Sequence, residues 1–170
     1  TAHLVEPSAC LLLHGTGGDD TDLLSLGQAL DPDAALLSPR GQVLENGMPR
    51  FFRRLAEGVF DEEDVKQRAH ELADFIDDAA GLYQFDQSKL IAVGYSNGAN
   101  IASAILFLRP GTFRGAALLR AMVPFLPEQL PDLGGAPVLI SSGEHDPIIP
   151  LENPVRWAAL LTRAGAEGHR

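Results

Sequence analysis

Short segments that are apolar at nearly every position alternate along this chain with segments whose apolar residues are spaced as in a helix. A strand with one solvent-facing side alternates apolar and polar residues, so continuously apolar strands indicate a sheet covered on both faces. The intervening segments carry apolar residues three and four positions apart, as amphipathic helices do. Together they predict one α/β domain over residues 1–170, with a mainly parallel, doubly wound sheet and helices on both faces. The predicted strands are SACLLLH (8–14), AALLSP (34–39), KLIAVGY (89–95), GAALLRAMVP (115–124) and APVLISSG (136–143).

The acidic charge balance of the chain argues against nucleic-acid binding. The chain has 170 residues, of which 45% are hydrophobic, enough for the core of a single domain. It carries 13 Lys and Arg against 23 Asp and Glu, a formal net charge of -10. This is the opposite of the basic surface that binds a phosphate backbone. No apolar run approaches the roughly 18 residues of a membrane span. We therefore expect neither a nucleic-acid partner nor a membrane span.

Cysteine usage and the first residues favour a cytoplasmic protein. Cys10 is the only cysteine, which rules out an internal disulfide, and its apolar surroundings (ACLLL) predict a buried, inert thiol. The opening TAHLVEPSA has no basic segment ahead of an apolar one, as a secretory signal would. We expect the cytoplasm as the compartment.

The segment VGYSNGAN (93–100) places a serine between two glycines at the junction of a predicted strand and a predicted helix. This is the context in which a G-x-S-x-G pattern raises a nucleophilic serine above a sheet. We expect a Cβ at Gly94 or Gly98 to collide with the neighbouring strand or helix. The following helix points its free N–H groups at any anion that forms beside Ser96. The alternative is an ordinary serine N-cap, but the strand before and the helix after favour a nucleophile.

Two other segments follow predicted strands and supply what an activated serine needs. LLLHGTGGDD (11–20) ends in glycines that let backbone N–H groups turn inward, and SSGEHDPIIP (141–150) places Asp146 beyond a later strand. Ligands of open α/β sheets bind at the carboxyl ends of strands, where residues 14–18, Ser96 and Asp146 should gather. The five histidines have no metal-ligand spacing, so we expect neither a metal nor a cofactor.

The long segment between Arg40 and Phe60 is predicted to be a functional loop. Arg40 follows a strand at the ligand-binding edge, so its guanidinium either contacts a polar or anionic acyl substrate or ties the loop to an acidic residue. Phe51 either lines an apolar acyl pocket or belongs to the core beneath the loop. The sequence leaves both pairs of alternatives open.

LLLHGTGGDD, SPRG, FFRR, VGYSNGAN and GEHDPIIP, in this order and at these separations, resemble the phospholipase/carboxylesterase family of α/β-hydrolases, which includes the acyl-protein thioesterases. The resemblance runs from Cys10 to Leu161 and is closest to small bacterial esterases of the hydroquinone-resistance type. It implies an α/β-hydrolase fold without a large lid domain, and carboxylesterase activity that needs no cofactor. Members of the family also form homodimers, although no segment here marks such a contact.

The resemblance also assigns roles to individual residues. It implies that Ser96 is the nucleophile, that Asp146 is the acid partner of the catalytic histidine, and that the N–H groups of Thr16 and Asn97 form the oxyanion hole. The family's histidine lies in a Gly-His pair near the C-terminus, and His169 in GHR resembles it.

The chain departs from the family pattern just before this histidine. In the family a further strand separates the last helix from the histidine, whereas only GAEG (165–168) intervenes here. A 12-residue helix would carry the chain roughly 18 Å away from the edge that holds Asp146. Either residues are missing between Glu167 and Gly168, with others after Arg170, or His169 is a tail residue and the base is absent.

The leading functional hypothesis is a serine hydrolase that cleaves carboxylic esters of small acyl substrates through a Ser-His-Asp triad and an acyl-enzyme. A thioesterase or lysophospholipase would use the same triad. If His169 does not reach Ser96, the alternative is a non-catalytic, ligand-binding homologue. The expected partner is a small-molecule ester.

Overall fold

A six-stranded parallel sheet forms the centre of the computed structural model, which describes residues 8–143, 146–150 and 152–169. In chain order the elements are β1 (Ala9–Leu13), α1 (Leu24–Leu30), β2 (Ala35–Leu37), β3 (Val43–Glu45), β4 (Met48–Arg50), β5 (Arg54–Ala56), β6 (Val59–Phe60), α2 (Glu62–Tyr83), β7 (Ile91–Tyr95), α3 (Asn97–Leu108), β8 (Gly115–Leu119), β9 (Pro137–Ser141), α4 (Glu152–Arg163) and β10 (Glu167–His169). A short 3-10 helix, Gln87–Lys89, precedes β7.

The strand order is β10-β9-β8-β7-β1-β2, and every neighbouring pair in this sheet is parallel. The chain extends the sheet from β1 to β2 in one direction and from β7 through β10 in the other. The order therefore reverses between β1 and β7. In open α/β sheets the crevice at the carboxyl ends beside such a reversal is the usual ligand site. The predicted parallel, doubly wound fold is confirmed.

Helices cover both faces of the sheet because its strands are apolar on both sides. On one face, α2, α3 and α4 enclose the main core, and the Trp157 ring of α4 meets Phe107 of α3 edge-on with ring centroids 4.9 Å apart. On the other face, leucines of α1 and the residue before it pack against Cys10, Leu12 and Val93. Helix α3 is buried from Asn97 through Phe107, which places it at the centre of the molecule.

The predicted loop between Arg40 and Phe60 is instead folded into two antiparallel hairpins, β3–β4 and β5–β6. Asn46 and Gly47 have φ values of 50° and 80°, the left-handed conformation that a two-residue hairpin turn requires. Asn-Gly between Glu45 and Met48 is the sequence signal for this turn.

The further strand that the family pattern requires is β10, which pairs with β9 in parallel. His169 is therefore a residue of this strand and does not follow it. Apolar periodicity could not identify a strand in GAEGH, because Gly and Glu are poor strand formers. Among the described residues, no helix is both long enough and apolar enough to cross a membrane.

Candidate active site

Ser96 lies on a strained turn between β7 and α3. Its φ of 51° and ψ of -111° place a non-glycine residue where side chains are rarely tolerated. A Cβ on Gly94 would lie 2.6 Å from the Ala99 Cα, and a Cβ on Gly98 would overlap the Leu13 carbonyl group. Both contacts are with backbone atoms, so no rotamer change could relieve them. The steric reason expected for the two flanking glycines is present in the structure.

The residues predicted to form the oxyanion hole lie on either side of the sheet reversal. Thr16 follows β1, and Asn97 is the first residue of α3. Within the described residues, neither backbone N–H donates to a protein acceptor. The first N–H groups of a helix carry its positive end, so this position favours an anion. Thr16, Ser96 and Asn97 line the same cavity, with a volume of about 70 Å³.

Asp146 lies beyond β9 and bonds to Arg120, which the sequence did not single out. The guanidinium donates to both carboxylate oxygens, with Nη2 to Oδ1 at 2.9 Å, and the Ile148 and Ile149 N–H groups also donate to Oδ1. Arg120 first, and then the Ile148 N–H, hold the pKa of this carboxyl far below its usual range. Arg120 also lines the cavity of Ser96, so the pair links the Asp146 loop to that cavity. Arg120 directly follows β8, and this position was the sequence signal that it lies at the carboxyl edge of the sheet.

His14 is a structural residue held by backbone groups at both ring nitrogens. Its Nε2 accepts from the Gly41 N–H at 3.0 Å, and its Nδ1 lies 2.7 Å from the Gly15 carbonyl oxygen, to which it donates as the neutral tautomer. The side chain is buried, and its ring centroid lies 4.8 Å from that of Phe51. His14 therefore has no nitrogen free to accept the serine proton.

His169 is not brought to Ser96 by the described backbone. Its strand partner in β9 is Leu139, which aligns through Ala117 of β8 with Val93 of β7. His169 thus lies three strands from β7 and level with a residue three positions before Ser96. Ideal sheet spacings of about 4.8 Å across and 3.3 Å along correspond to a Cα separation of about 17 Å. The side chain of His169 lies outside the described residues. The role of His169 as the base therefore stays a prediction.

Arg40 and Phe51, the two predicted substrate-binding residues, lie at a second cavity of about 310 Å³ that does not include Ser96. Arg40 donates from Nε to Asp20 Oδ1 at 2.8 Å, so it forms the tie to an acidic residue that the sequence left open. Phe51 is 6% exposed and belongs to the main core. The structure does not bring either side chain into the cavity of Ser96.

The chain is similar over most of its length to proteins named as hydrolases, although no protein-family model matches it. It is 55% identical over 156 residues to the Bacillus subtilis (strain 168) protein named "Putative hydrolase MhqD", covering 92% of this chain and 78% of the relative. Its fold matches the crystal structure of a Bacillus cereus carboxylesterase with a TM-score of 0.94 and 50% identity, covering 96% of this chain and 77% of that one. The chain belongs to the phospholipase/carboxylesterase family of α/β-hydrolases.

This α/β-hydrolase also matches a carboxylesterase from Mesorhizobium loti with a TM-score of 0.89 and 35% identity, covering 96% of this chain and 79% of that one. The family and fold expected from the sequence are thereby confirmed. The relatives also support a carboxylesterase-type hydrolase, an enzyme that hydrolyses esters.

Proposed function

We propose that this α/β-hydrolase cleaves carboxylic esters of small acyl substrates through an acyl-enzyme on Ser96. The observation that carries the proposal is the strained Ser96 turn. It lies in one cavity with two backbone N–H groups that have no acceptor among the described residues. Backbone strain of this kind costs about 1–3 kcal/mol and persists where the surrounding structure enforces it. The flanking glycines and the buried helix α3 provide that enforcement.

In the proposed reaction the Ser96 Oγ attacks the ester carbonyl carbon and gives its proton to a histidine base. The carbonyl oxygen becomes an oxyanion, which accepts hydrogen bonds from the N–H groups of Thr16 and Asn97. Each donor contributes about 3 kcal/mol by analogy with other serine hydrolases. The base then protonates the leaving alcohol as the tetrahedral intermediate collapses, and water releases the acid from the acyl-enzyme in a second cycle. Asp146 orients the base, and Arg120 holds that carboxylate ionised.

The base in this scheme must lie at the carboxyl edge between Ser96 and Asp146. His169 can take this role only if its segment leaves the register of β10, because that register keeps its Cα about 17 Å from Ser96. Of the histidine side chains that the structure describes, His14 follows β1 at this edge, but backbone groups hold both of its ring nitrogens, so none is free to act as the base. That observation favours a second candidate function, a ligand-binding homologue whose serine is not activated.

The size of the cavity supports a small acyl group. Its volume of about 70 Å³ is well below the roughly 300–1,000 Å³ of sites that enclose a drug-sized ligand. A thioesterase or lysophospholipase would share the nucleophile but would need to accommodate a long acyl chain. Turnover of 4-nitrophenyl acetate, butyrate and octanoate separates a preference for small acyl groups from one for long chains, and we expect kcat/KM to fall as the acyl chain lengthens.

Labelling with a fluorophosphonate tests the proposed function directly. An activated serine reacts with this probe, whereas an unassisted hydroxyl stays inert. We expect a single adduct, mapped by peptide mass spectrometry to Ser96 and absent from Ser96→Ala, together with ester hydrolysis that the same substitution abolishes. A folded wild-type protein that forms no adduct and hydrolyses no ester would instead support the ligand-binding alternative. Labelling of His169→Ala tests whether that histidine is the base.

A further inference from the structure

A three-residue segment, Pro49–Phe51, contacts both residues of the proposed oxyanion hole. The Pro49 carbonyl oxygen accepts at 3.0 Å from the N–H of Gly17, which is the residue after Thr16. Arg50 Nη1 donates to the Thr16 Oγ1 at 2.5 Å. The Phe51 N–H donates to the Asn97 Oδ1 at 2.7 Å. The loop after β1 and the first turn of α3 are therefore joined through one segment of the β3–β4 hairpin.

Arg50 is the central group of this segment and is almost completely buried. Its side chain is 3% exposed, Nε donates to the Phe52 carbonyl oxygen at 3.0 Å, and the nearest carboxylate, on Glu45, is 3.7 Å away. Burial first, and then the nearby Arg54, lower the pKa of this guanidinium. Burying a cation is unfavourable unless its donors are used, and among the described residues Glu45 is the one ion-pair partner of Arg50, at 3.7 Å. Two of them are used on the Thr16 hydroxyl and on the local backbone.

The second connection uses the buried side chain of Asn97. This residue is 2% exposed, and its Oδ1 must be the acceptor because the Phe51 N–H can only donate. The bond fixes the first residue of α3 relative to the hairpin. The Asn97 side chain therefore acts on the position of its own backbone N–H, which the proposed mechanism uses.

We propose that Arg50 is a positioning residue. It holds the Thr16 N–H in the position from which this group and the Asn97 N–H can both donate to the oxyanion. The inference rests on the proposed function, since it assigns a supporting group to the same oxyanion hole. Donors stabilise a tetrahedral oxyanion only when they already point at the place where the charge develops. The planar guanidinium bonds Thr16 and Phe52 at once, in a geometry that the point charge of a lysine cannot reproduce. Loss of this bond frees the loop after β1 to move without removing the N–H itself.

The inference predicts a loss in kcat with little change in KM. A misplacement of about 1 Å at a catalytic group reduces rate by up to roughly 100-fold. We expect Arg50→Lys and Arg50→Gln to lower kcat for 4-nitrophenyl acetate by about 10- to 100-fold, with KM within about twofold of wild type. Fluorophosphonate should still modify Ser96 in both variants, but more slowly. Arg53→Gln is the matched control, because the neighbouring Arg53 is 63% exposed and bonds to Asp61 at the surface.

Variants at Thr16 keep the test informative if substitution of the buried arginine prevents folding. Thr16→Val removes the acceptor oxygen and should reproduce the loss of kcat, whereas Thr16→Ser retains the hydroxyl and should lose several-fold less kcat than Thr16→Val. In the double variant Arg50→Lys/Thr16→Val, the losses should be much less than additive, because both changes break the same bond.

Near-normal kcat in Thr16→Val, or fully additive losses, would overturn the positioning role while labelling of wild-type Ser96 still upheld the proposed function. A wild-type protein that is neither labelled nor active would overturn both. A fall in activity that only matches a fall in the folded fraction would identify Arg50 as a structural residue alone.

Discussion

Substitution of Gly98 by alanine tests the packing that raises Ser96 above the sheet. Gly98 is the second residue of α3, where alanine would ordinarily stabilise a helix relative to glycine by about 1 kcal/mol. The added Cβ would, however, overlap the Leu13 carbonyl group and lie 2.6 Å from the His14 carbonyl oxygen. Whether Gly98→Ala raises or lowers the free energy of unfolding therefore shows if α3 approaches β1 as closely as the structure indicates.

The size of the expected loss of stability follows from the contacts of the added Cβ. Non-bonded contacts of carbon are optimal at about 3.5–4.0 Å, so the His14 contact alone is roughly 1 Å too short. Both neighbours are backbone groups of a buried strand end, and α3 is itself buried, so the helix or the strand must shift. Overpacking of this kind costs about 1–3 kcal/mol, and we expect the upper end of that range. For a chain of this size the corresponding fall in Tm is about 6–12 °C.

Chemical and thermal unfolding, read by circular dichroism, provide the measurement. Gly81→Ala is the matched control, since Gly81 also lies in a helix but a Cβ there would meet nothing within 4 Å. We expect the control to gain about 0.5–1 kcal/mol of stability, while Gly98→Ala loses stability and labels more slowly with fluorophosphonate. If Gly98→Ala matched the stability gain of Gly81→Ala and kept wild-type labelling, the steric argument for this glycine would be refuted.

Three further predictions concern Ser96, His14 and Asp146. Ser96→Gly should be about 1 kcal/mol more stable than Ser96→Ala by urea unfolding, because glycine tolerates a φ of 51°; equal stabilities would show that the turn is unstrained. His14→Phe should lose about 1–3 kcal/mol by leaving the buried Gly41 N–H without its acceptor, while the pH profile of Ser96 labelling stays unchanged; an altered profile would give His14 a catalytic role. The pKa of Asp146 is lowered by Arg120, so its contribution to the free energy of unfolding is present above the unfolded pKa of about 3.9 and is lost as pH falls. The difference in that free energy between wild type and Asp146→Asn should thus be constant from pH 7 to about 5 and shrink below about 4; a constant difference down to pH 3 would contradict the ion pair.

The central sheet could be predicted because burial on both faces leaves a direct mark on the sequence. The strand ACLLL (9–13) is buried at all five positions, so its apolar run is a consequence of the fold. The edge strand β10 left no such mark, because pairing with Pro137 and its neighbours in β9 forms it despite the glycine at position 168.

The candidate site was predictable where a residue must satisfy a steric requirement. Gly94 and Gly98 are required by backbone contacts, and any sequence that builds this turn must carry small residues there. The roles of Arg50 and Arg120 depend on partners 34 and 26 residues away, so no local pattern reveals them. Long-range ion pairs and hydrogen bonds become visible only when the topology brings their segments together.

The proposed base, His169, shows that a sequence motif alone does not predict how far along the sheet a residue lies. A Gly-His pair near the end of the chain matches the family pattern at His169, but its level in the sheet depends on the pairing of Gly168 with Val138. A shift of one residue along a parallel strand moves a side chain about 3.3 Å and turns it to the opposite face of the sheet. The proposed nucleophile lies on a turn whose geometry is encoded locally, whereas the proposed base requires a strand to end at the correct level. Ser96 can therefore be proposed as the nucleophile from the segment VGYSNGAN (93–100) alone, while a proposal for its base needs the register of the whole sheet.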